Sequence, residues 1–250
     1  MKLCVPIPCF FGKMPFESAV EKVAAARYDL AEIYSWKSLD LESAAKALDR
    51  CGVTLVSMCT SEFMLTDPAC RDLWIEGIRE SCGAAKILGA KKLITQVGPD
   101  TRAEREEQHR SIVEGLKAGA PILEEAGVTV MIEPLNTQFN HPGYYLTSST
   151  EAFDIVREVG SPNVKVVFDI YHQQISEGNI IPNVTNNLEH IAHLHAAGHP
   201  GRHELQFGEN DYRNIFAAID AAGYDGACGL EYKPLLDPEQ SLVLAKELYG

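Results

Sequence analysis

The 250-residue chain has no CxxC pair, no GxGxxG or Walker loop, and no apolar run near the roughly 18 residues that cross a membrane. Without metal-ligand spacing, the seven cysteines (Cys4, Cys9, Cys51, Cys59, Cys70, Cys82, Cys228) read as reduced thiols, mostly small core residues. Without a glycine-rich loop after the first strand, the sequence lacks the phosphate cradle of a doubly wound nucleotide-binding sheet. Without a membrane span, and with an opening MKLCVPIPCFF too short and proline-rich for a secretory leader, a cytoplasmic protein is expected. Basic charge is also scarce: 22 Lys and Arg against 35 Asp and Glu give a formal net charge of −13. An acidic surface repels phosphate backbones and anionic lipid, so neither nucleic acid nor membrane is expected as a partner. Linkers, low-complexity tracts and charge blocks are missing too, and a single domain over residues 1–250 is expected.

What the chain does have is a regular alternation of short apolar runs and amphipathic stretches. Strands are expected at about 2–8, 29–34, 53–59, 91–96, 128–133, 164–169, 190–195 and 226–231. Helices are expected from Pro15 to about 27, and at about 41–50, 68–88, 102–126, 149–159, 182–189, 211–222 and from 238 onward. Gly52, Gly89, Gly127 and Gly223 each stand between a helix and the next strand, where a left-handed residue turns the chain back. Eight units averaging about 31 residues match the roughly 250 of a (β/α)8 barrel. The expected fold is therefore α/β, a single (β/α)8 TIM barrel.

In such barrels catalytic groups sit at the C-terminal ends of strands. Here VTVMIEPLN, VKVVFDIYH, HIAHLHAAG and GACGLEYKP place Glu133, Asp169, His195 and Glu231 at the ends of strands 5 to 8. A carboxylate after a strand is an ordinary helix N-cap, and a lone strand histidine an ordinary hydrogen-bonded core residue. On four consecutive tips that explanation must hold four times over. Three carboxylates and one imidazole form instead a ligand set suited to Mn2+, with Mg2+, Co2+ or Zn2+ as alternatives. Counting back by twos puts Met131, Val167, His193 and Gly229 beneath the tips, and Gly229 with Ala227 leaves volume for larger neighbours. His172 is expected on a loop over the mouth, as a substrate contact or an ordinary loop histidine. Arg202, in HPGRHE, is placed to clamp a substrate carboxylate, phosphate or polyol oxygen, or else lies on the surface. Trp36, Tyr144 and Tyr145 are candidates for the pocket wall or for packing.

A divalent ion that chelates a carbonyl and its neighbouring hydroxyl stabilises the enediolate formed when the adjacent C–H loses its proton. Glu133 and Glu231 can take and return protons on either face, with Asp169 and His195 as ligands only and His172 and Arg202 holding substrate. The reaction class is isomerisation or epimerisation beside a carbonyl. A lyase or dehydratase acting on an oxidised sugar begins with the same step and stays open.

Taken in order, IEPLN…HPGYYL, FDIYHQQISEGN, HPGRHE…GENDY and GLEYKP resemble the hydroxypyruvate isomerase branch of the xylose-isomerase-like barrels, across the second half of the chain. The resemblance implies one metal ion on Glu133, Asp169, His195 and Glu231, with the two glutamates as acid/base pair. It also implies a small keto sugar or hydroxy-keto acid as substrate, and a dimer or tetramer. The same superfamily includes ketose 3-epimerases, inosose dehydratases and endonuclease IV-type nucleases, the last facing DNA with a basic surface that a charge of −13 opposes. Two positions depart from the pattern. His195 stands where that branch carries an amide, and Phe139 where ketose epimerases carry a second carboxylate.

Overall fold

The computed structural model describes residues 1–250. Eight strands run parallel: β1 (Lys2–Pro6), β2 (Leu30–Ile33), β3 (Thr54–Cys59), β4 (Lys92–Thr95), β5 (Thr129–Ile132), β6 (Val164–Asp169), β7 (Ile191–His195) and β8 (Ala227–Gly229). Each pairs with its neighbour in sequence, and β8 closes on β1 through Lys2–Ala227, Leu3–Cys228 and Cys4–Gly229. The result is the expected closed (β/α)8 barrel. Its helices are α1 (Ile7–Phe10), α2 (Phe16–Ala25), α3 (Leu41–Cys51), α4 (Arg71–Leu88), α5 (Arg105–Ala126), α6 (Ser149–Val159), α7 (Ile170–Ser176), α8 (Ile180–Thr185), α9 (Tyr212–Ala221) and α10 (Pro238–Tyr249).

The helix ends follow from local chemistry. Asp40, Asp211 and Asp237 accept backbone N–H groups at the starts of α3, α9 and α10, satisfying donors that a helix leaves orphaned. Gly52, Gly89, Gly127 and Gly223 take φ of 65°, 75°, 63° and 90°, the left-handed turn expected of them. The main apolar core lies between the strands and the helical ring, while Ile94, Met131 and Val167 form a small separate cluster. Ile94 pairs with Met131 in register, and Glu133 lies two residues beyond Met131, so alternation carries this face up to the mouth.

Three expectations about elements are corrected. β1 stops at Pro6 rather than near residue 8, because Ile7–Phe10 wind into a helical turn with Pro8 in its first positions. The helix expected at 182–189 lies at Ile180–Thr185. Most importantly, the chain does not enter a loop after Asp169. It turns at once into α7, because Asp169 Oδ1 accepts the N–H of Tyr171 at 2.8 Å and of His172 at 3.4 Å. His172 is consequently a buried helical residue.

Candidate active site

The barrel mouth opens into a cavity of about 630 Å³. Glu133, His195 and Glu231 line it, and one ligand atom from each of Glu133, Asp169, His195 and Glu231 lies within 4.8 Å of the others. Four residues spread between positions 133 and 231 thus converge because the strands that carry them, β5 to β8, are adjacent in the barrel. His195 Nδ1 stands 3.0 Å from Glu231 Oε2 and 3.6 Å from Glu133 Oε1, yet makes a hydrogen bond to neither. Asp169 serves two purposes at once: Oδ1 caps α7, and Oδ2 faces Arg202 Nη2 at 3.3 Å and His172 Nε2 at 3.5 Å. The capping and clustering readings of a strand-end carboxylate are compatible, since each uses a different oxygen.

Arg202 comes from the loop after β7. Its Nη2 donates to Glu231 Oε2 at 2.7 Å, its Nε to the Glu231 carbonyl at 3.1 Å, and its guanidinium stacks on the Tyr171 ring at 5.0 Å. The side chain reaches the cavity, with Nη2 turned to the protein's own carboxylates and Nε to the Glu231 carbonyl. His172 also lines the cavity. Its Nδ1 accepts the Asn136 backbone N–H at 3.2 Å and faces Asn136 Nδ2 at 2.6 Å, which leaves Nε2 as the protonated nitrogen. That Nε2 is buried with no hydrogen-bond partner.

Burial and crowding set the charges. Burial pushes the Asp169 carboxyl up to about 7, Arg202 opposing it and the Glu231 charge adding to it. Burial likewise raises Glu133. Burial would raise Glu231 too, but the Arg202 guanidinium and the His195 ring hold it well below the usual carboxylate range. Burial disfavours a charged His195, yet Glu32 and Glu231 keep its pKa well above an ordinary histidine's. Burial, aided by Arg202, keeps His172 neutral. The two glutamates therefore sit in contrasting environments, a common arrangement where two carboxylates do different jobs.

The donor set fits a divalent metal. Two buried carboxylates, Glu133 and Asp169, and the part-buried Glu231 have Arg202 and His195 as their nearby cations, and an oxygen-rich set with one imidazole suits a hard or borderline dication. A ring nitrogen directed at two carboxylates without bonding to either is oriented as a ligand is.

Several residues of the site were not expected from sequence. The Tyr34 hydroxyl, just past β2, donates to Glu231 Oε1 at 2.7 Å and lies 3.1 Å from Cys9 Sγ. Glu32 and His193 are buried below the mouth, and their ligand atoms form a second close group with those of His195. The only advance signal was position: Glu32 and Tyr34 sit at the end of an apolar strand, as the four expected residues do. Trp36 lines the cavity, together with Cys9 and Phe63. Tyr144 and Tyr145 do not. Tyr144 borders an adjoining recess, where its hydroxyl accepts the Val97 N–H and donates to the Glu133 carbonyl. Tyr145 is buried against Arg105 and Glu151. Both hold the loop after β5 in place.

An eight-stranded barrel with acidic and imidazole side chains gathered at the ends of its last four strands is a (β/α)8 protein with its candidate site at the barrel mouth. The profile of the xylose isomerase-like TIM barrel family matches residues 19–247, and the chain belongs to that family. The hydroxypyruvate isomerase of Escherichia coli (strain K12) is 29% identical over 251 residues, 97% of each chain. The 2-oxo-tetronate isomerase of Cupriavidus necator is 41% identical over 167 residues, which is 66% of this chain and 64% of that one. An AP endonuclease, family 2, from Brucella melitensis shares the whole architecture, with a TM-score of 0.94 at 26% identity over 99% of both chains.

Proposed function

We propose that this chain is a divalent-metal-dependent isomerase or epimerase acting on a small keto sugar or hydroxy-keto acid. The observation that carries the reading is the convergence of Glu133, Asp169, His195 and Glu231 at the cavity, with ligand atoms within 4.8 Å of one another. The names of the similar proteins, a hydroxypyruvate isomerase and a 2-oxo-tetronate isomerase, support the same class. Glu133, Asp169, His195 and Glu231 would hold the ion, Mn2+ being the preferred candidate for this donor set. Once bound, such an ion supplies Lewis acidity to a carbonyl and the hydroxyl beside it.

The remaining chemistry belongs to the chain. Glu231, kept anionic by Arg202, is the group prepared to take a proton from carbon, and Glu133, raised by burial, the one prepared to return it. Arg202 offsets the crowded negative charge and orients Glu231 through both the side chain and the carbonyl. His172 lines the cavity, and its neutral Nε2–H stands 3.5 Å from Asp169 Oδ2 without a hydrogen bond, a free donor beside the site. The nuclease in the name of the similar solved structure is the weaker reading here, since a formal charge of −13 opposes a DNA backbone.

The test is proton exchange in D2O with Mn2+, using hydroxypyruvate, several ketoses and 3-keto glycosides. Deuterium entering recovered substrate or its isomer, with no leaving group lost, is the expected outcome. Release of an aglycone or water would replace isomerisation with the lyase reading. Absence of exchange from every carbonyl compound, with metal bound, would sink both.

A further inference from the structure

Below the four strand-tip residues lies a buried polar group that the chemistry above does not use. Glu32 on β2, Ser57 on β3 and His193 on β7 are all within the barrel wall and shielded from solvent. Glu32 Oε2 accepts the Ser57 hydroxyl at 2.6 Å, and lies 3.0 Å from His193 Nε2 and 3.3 Å from His195 Nε2. β2 and β7 are not neighbours in the sheet, so these contacts cross the barrel. A charged group so placed is costly unless its bonds serve something. The four expected site residues include only one of its partners, His195.

We propose that Glu32 is a positioning residue for His195, fixing the ring nitrogen that faces the metal site. An imidazole that ligates through one nitrogen must keep its proton on the other, and a hydrogen-bond acceptor at that second nitrogen selects the tautomer. Glu32 Oε2 accepts a hydrogen bond from His195 Nε2–H, so in the neutral ring the lone pair lies on Nδ1 and faces the space between Glu133 and Glu231. Ser57 and His193 donate to the same oxygen and so hold the carboxylate against rotation. The inference rests on the metal reading above for its purpose, but its geometry is independent of which ion or substrate is used. The rival use of these atoms is a second metal site on Glu32, His193 and His195, whose ligand atoms are also mutually close.

The experiment pairs Mn2+ titration with 15N NMR of histidine-labelled protein, its His195 signals assigned through the spectrum of a His195→Gln variant. Glu32→Gln keeps the shape but offers an amide N–H2 toward His195 Nε2, favouring the wrong tautomer. It is expected to weaken Mn2+ binding by roughly 10–100-fold, as loss of an outer partner commonly does, while stoichiometry stays at one ion per chain. Neutral His195 in the wild-type protein is expected to carry its proton on Nε2, and in Glu32→Gln to shift toward Nδ1–H. Ser57→Ala, which removes one anchor and leaves Glu32 in place, is expected to weaken binding less than Glu32→Gln. If Glu32→Gln does not fold, the wild-type tautomer still decides. A wild-type His195 that carries its proton on Nδ1 once the ring is neutral, at a pH above its raised pKa, or Mn2+ affinity unchanged in folded Glu32→Gln, would overturn the proposal. So would two ions per wild-type chain. A wild type that binds no Mn2+ but shows the Nε2–H tautomer sinks the metal reading while supporting the positioning.

Discussion

A β-carbon built on Gly229 would overlap Oε1 of Glu32, so the glycine of β8 is the space into which the glutamate of β2 fits. The same β-carbon would come within 2.8 Å of His195 Cδ2. Gly229→Ala is therefore expected to destabilise the protein by about 1–3 kcal/mol, as overpacking of a closed interior does. In a Glu32→Ala background the penalty should shrink, because one of the two clashes is gone. Urea denaturation of both single variants and the double variant gives the coupling energy, expected near 1 kcal/mol. Additive effects would show that residues 229 and 32 do not contend for space.

This pair also marks the boundary of what the sequence could disclose. Gly229 and Ala227 signalled spare volume under Glu231, and the four strand tips signalled themselves as apolar runs ending in a chelating residue. Both signals are local in sequence. Which side chain fills the volume is decided across the barrel, between β2 and β7 or β8, and nothing in DLAEIY distinguishes Glu32 from a solvated strand-end charge. Helix α7 was hidden for a different reason. Seven residues, IYHQQIS, are too few for a helical period to emerge, and a carboxylate at a strand end reads equally as a cap or as a ligand. The glycine-terminated helices, by contrast, were legible because they are long and their stop residue is chemically specific.

Glu231→Gln should separate chemistry from folding. An amide can still accept from Tyr34 or Arg202, whose donors reach the two carboxylate oxygens at 2.7 Å each, so the local structure is expected to survive. The group that takes the proton from carbon is lost. Solvent deuterium exchange is expected to fall by about 10²–10⁴-fold, with the circular dichroism spectrum retained. Full exchange activity would remove Glu231 from the acid/base role.

Metal binding should release protons. Without metal, burial pushes the Asp169 carboxyl up to about 7 from its ordinary 3.8, and Glu133 and His195 are also raised. A cation must displace what these groups hold, so affinity is expected to climb as pH rises through neutrality. Titration calorimetry in buffers of different ionisation enthalpy reads the protons directly. The linked effect on stability has the same origin. A carboxyl whose folded pKa lies above its unfolded one favours folding below the unfolded value, and that contribution is lost as pH rises from about 4 through about 7. Metal-free protein should thus lose this contribution on going to pH 8, whereas Mn2+ at 100 times its dissociation constant should add about 2.7 kcal/mol. Chelation that leaves the melting temperature at pH 8 unchanged would argue against a resident ion.

Glu204 ties the two loops that frame Arg202. It is buried, and Oε1 accepts the N–H of Leu235 and of Leu236 at 3.0 Å each, with Leu235 N also 3.2 Å from Oε2. Alongside it, the Lys233 N–H donates to the Arg202 carbonyl at 2.9 Å, and His203 Nδ1 lies 2.8 Å from the Lys233 carbonyl. Burial would raise the Glu204 carboxyl, but the Leu236 and Leu235 amides hold it below the ordinary value. A carboxylate depressed by folding stabilises the protein above its unfolded pKa, and that stability goes as pH falls through the folded one. The loop after β8 is therefore expected to loosen on acidification below about 4.5, the ordinary glutamate value. Glu204→Ala should produce the same loosening at neutral pH, costing about 1.5–3 kcal/mol for lost charge-assisted bonds. Because Arg202 is bonded to this loop and also bears on Glu231, the variant should raise the apparent KM as well. Hydrogen-exchange protection of the Leu235 and Leu236 amides provides the direct measurement. Protection that is equal in wild type and Glu204→Ala would show that the loop is held by other means.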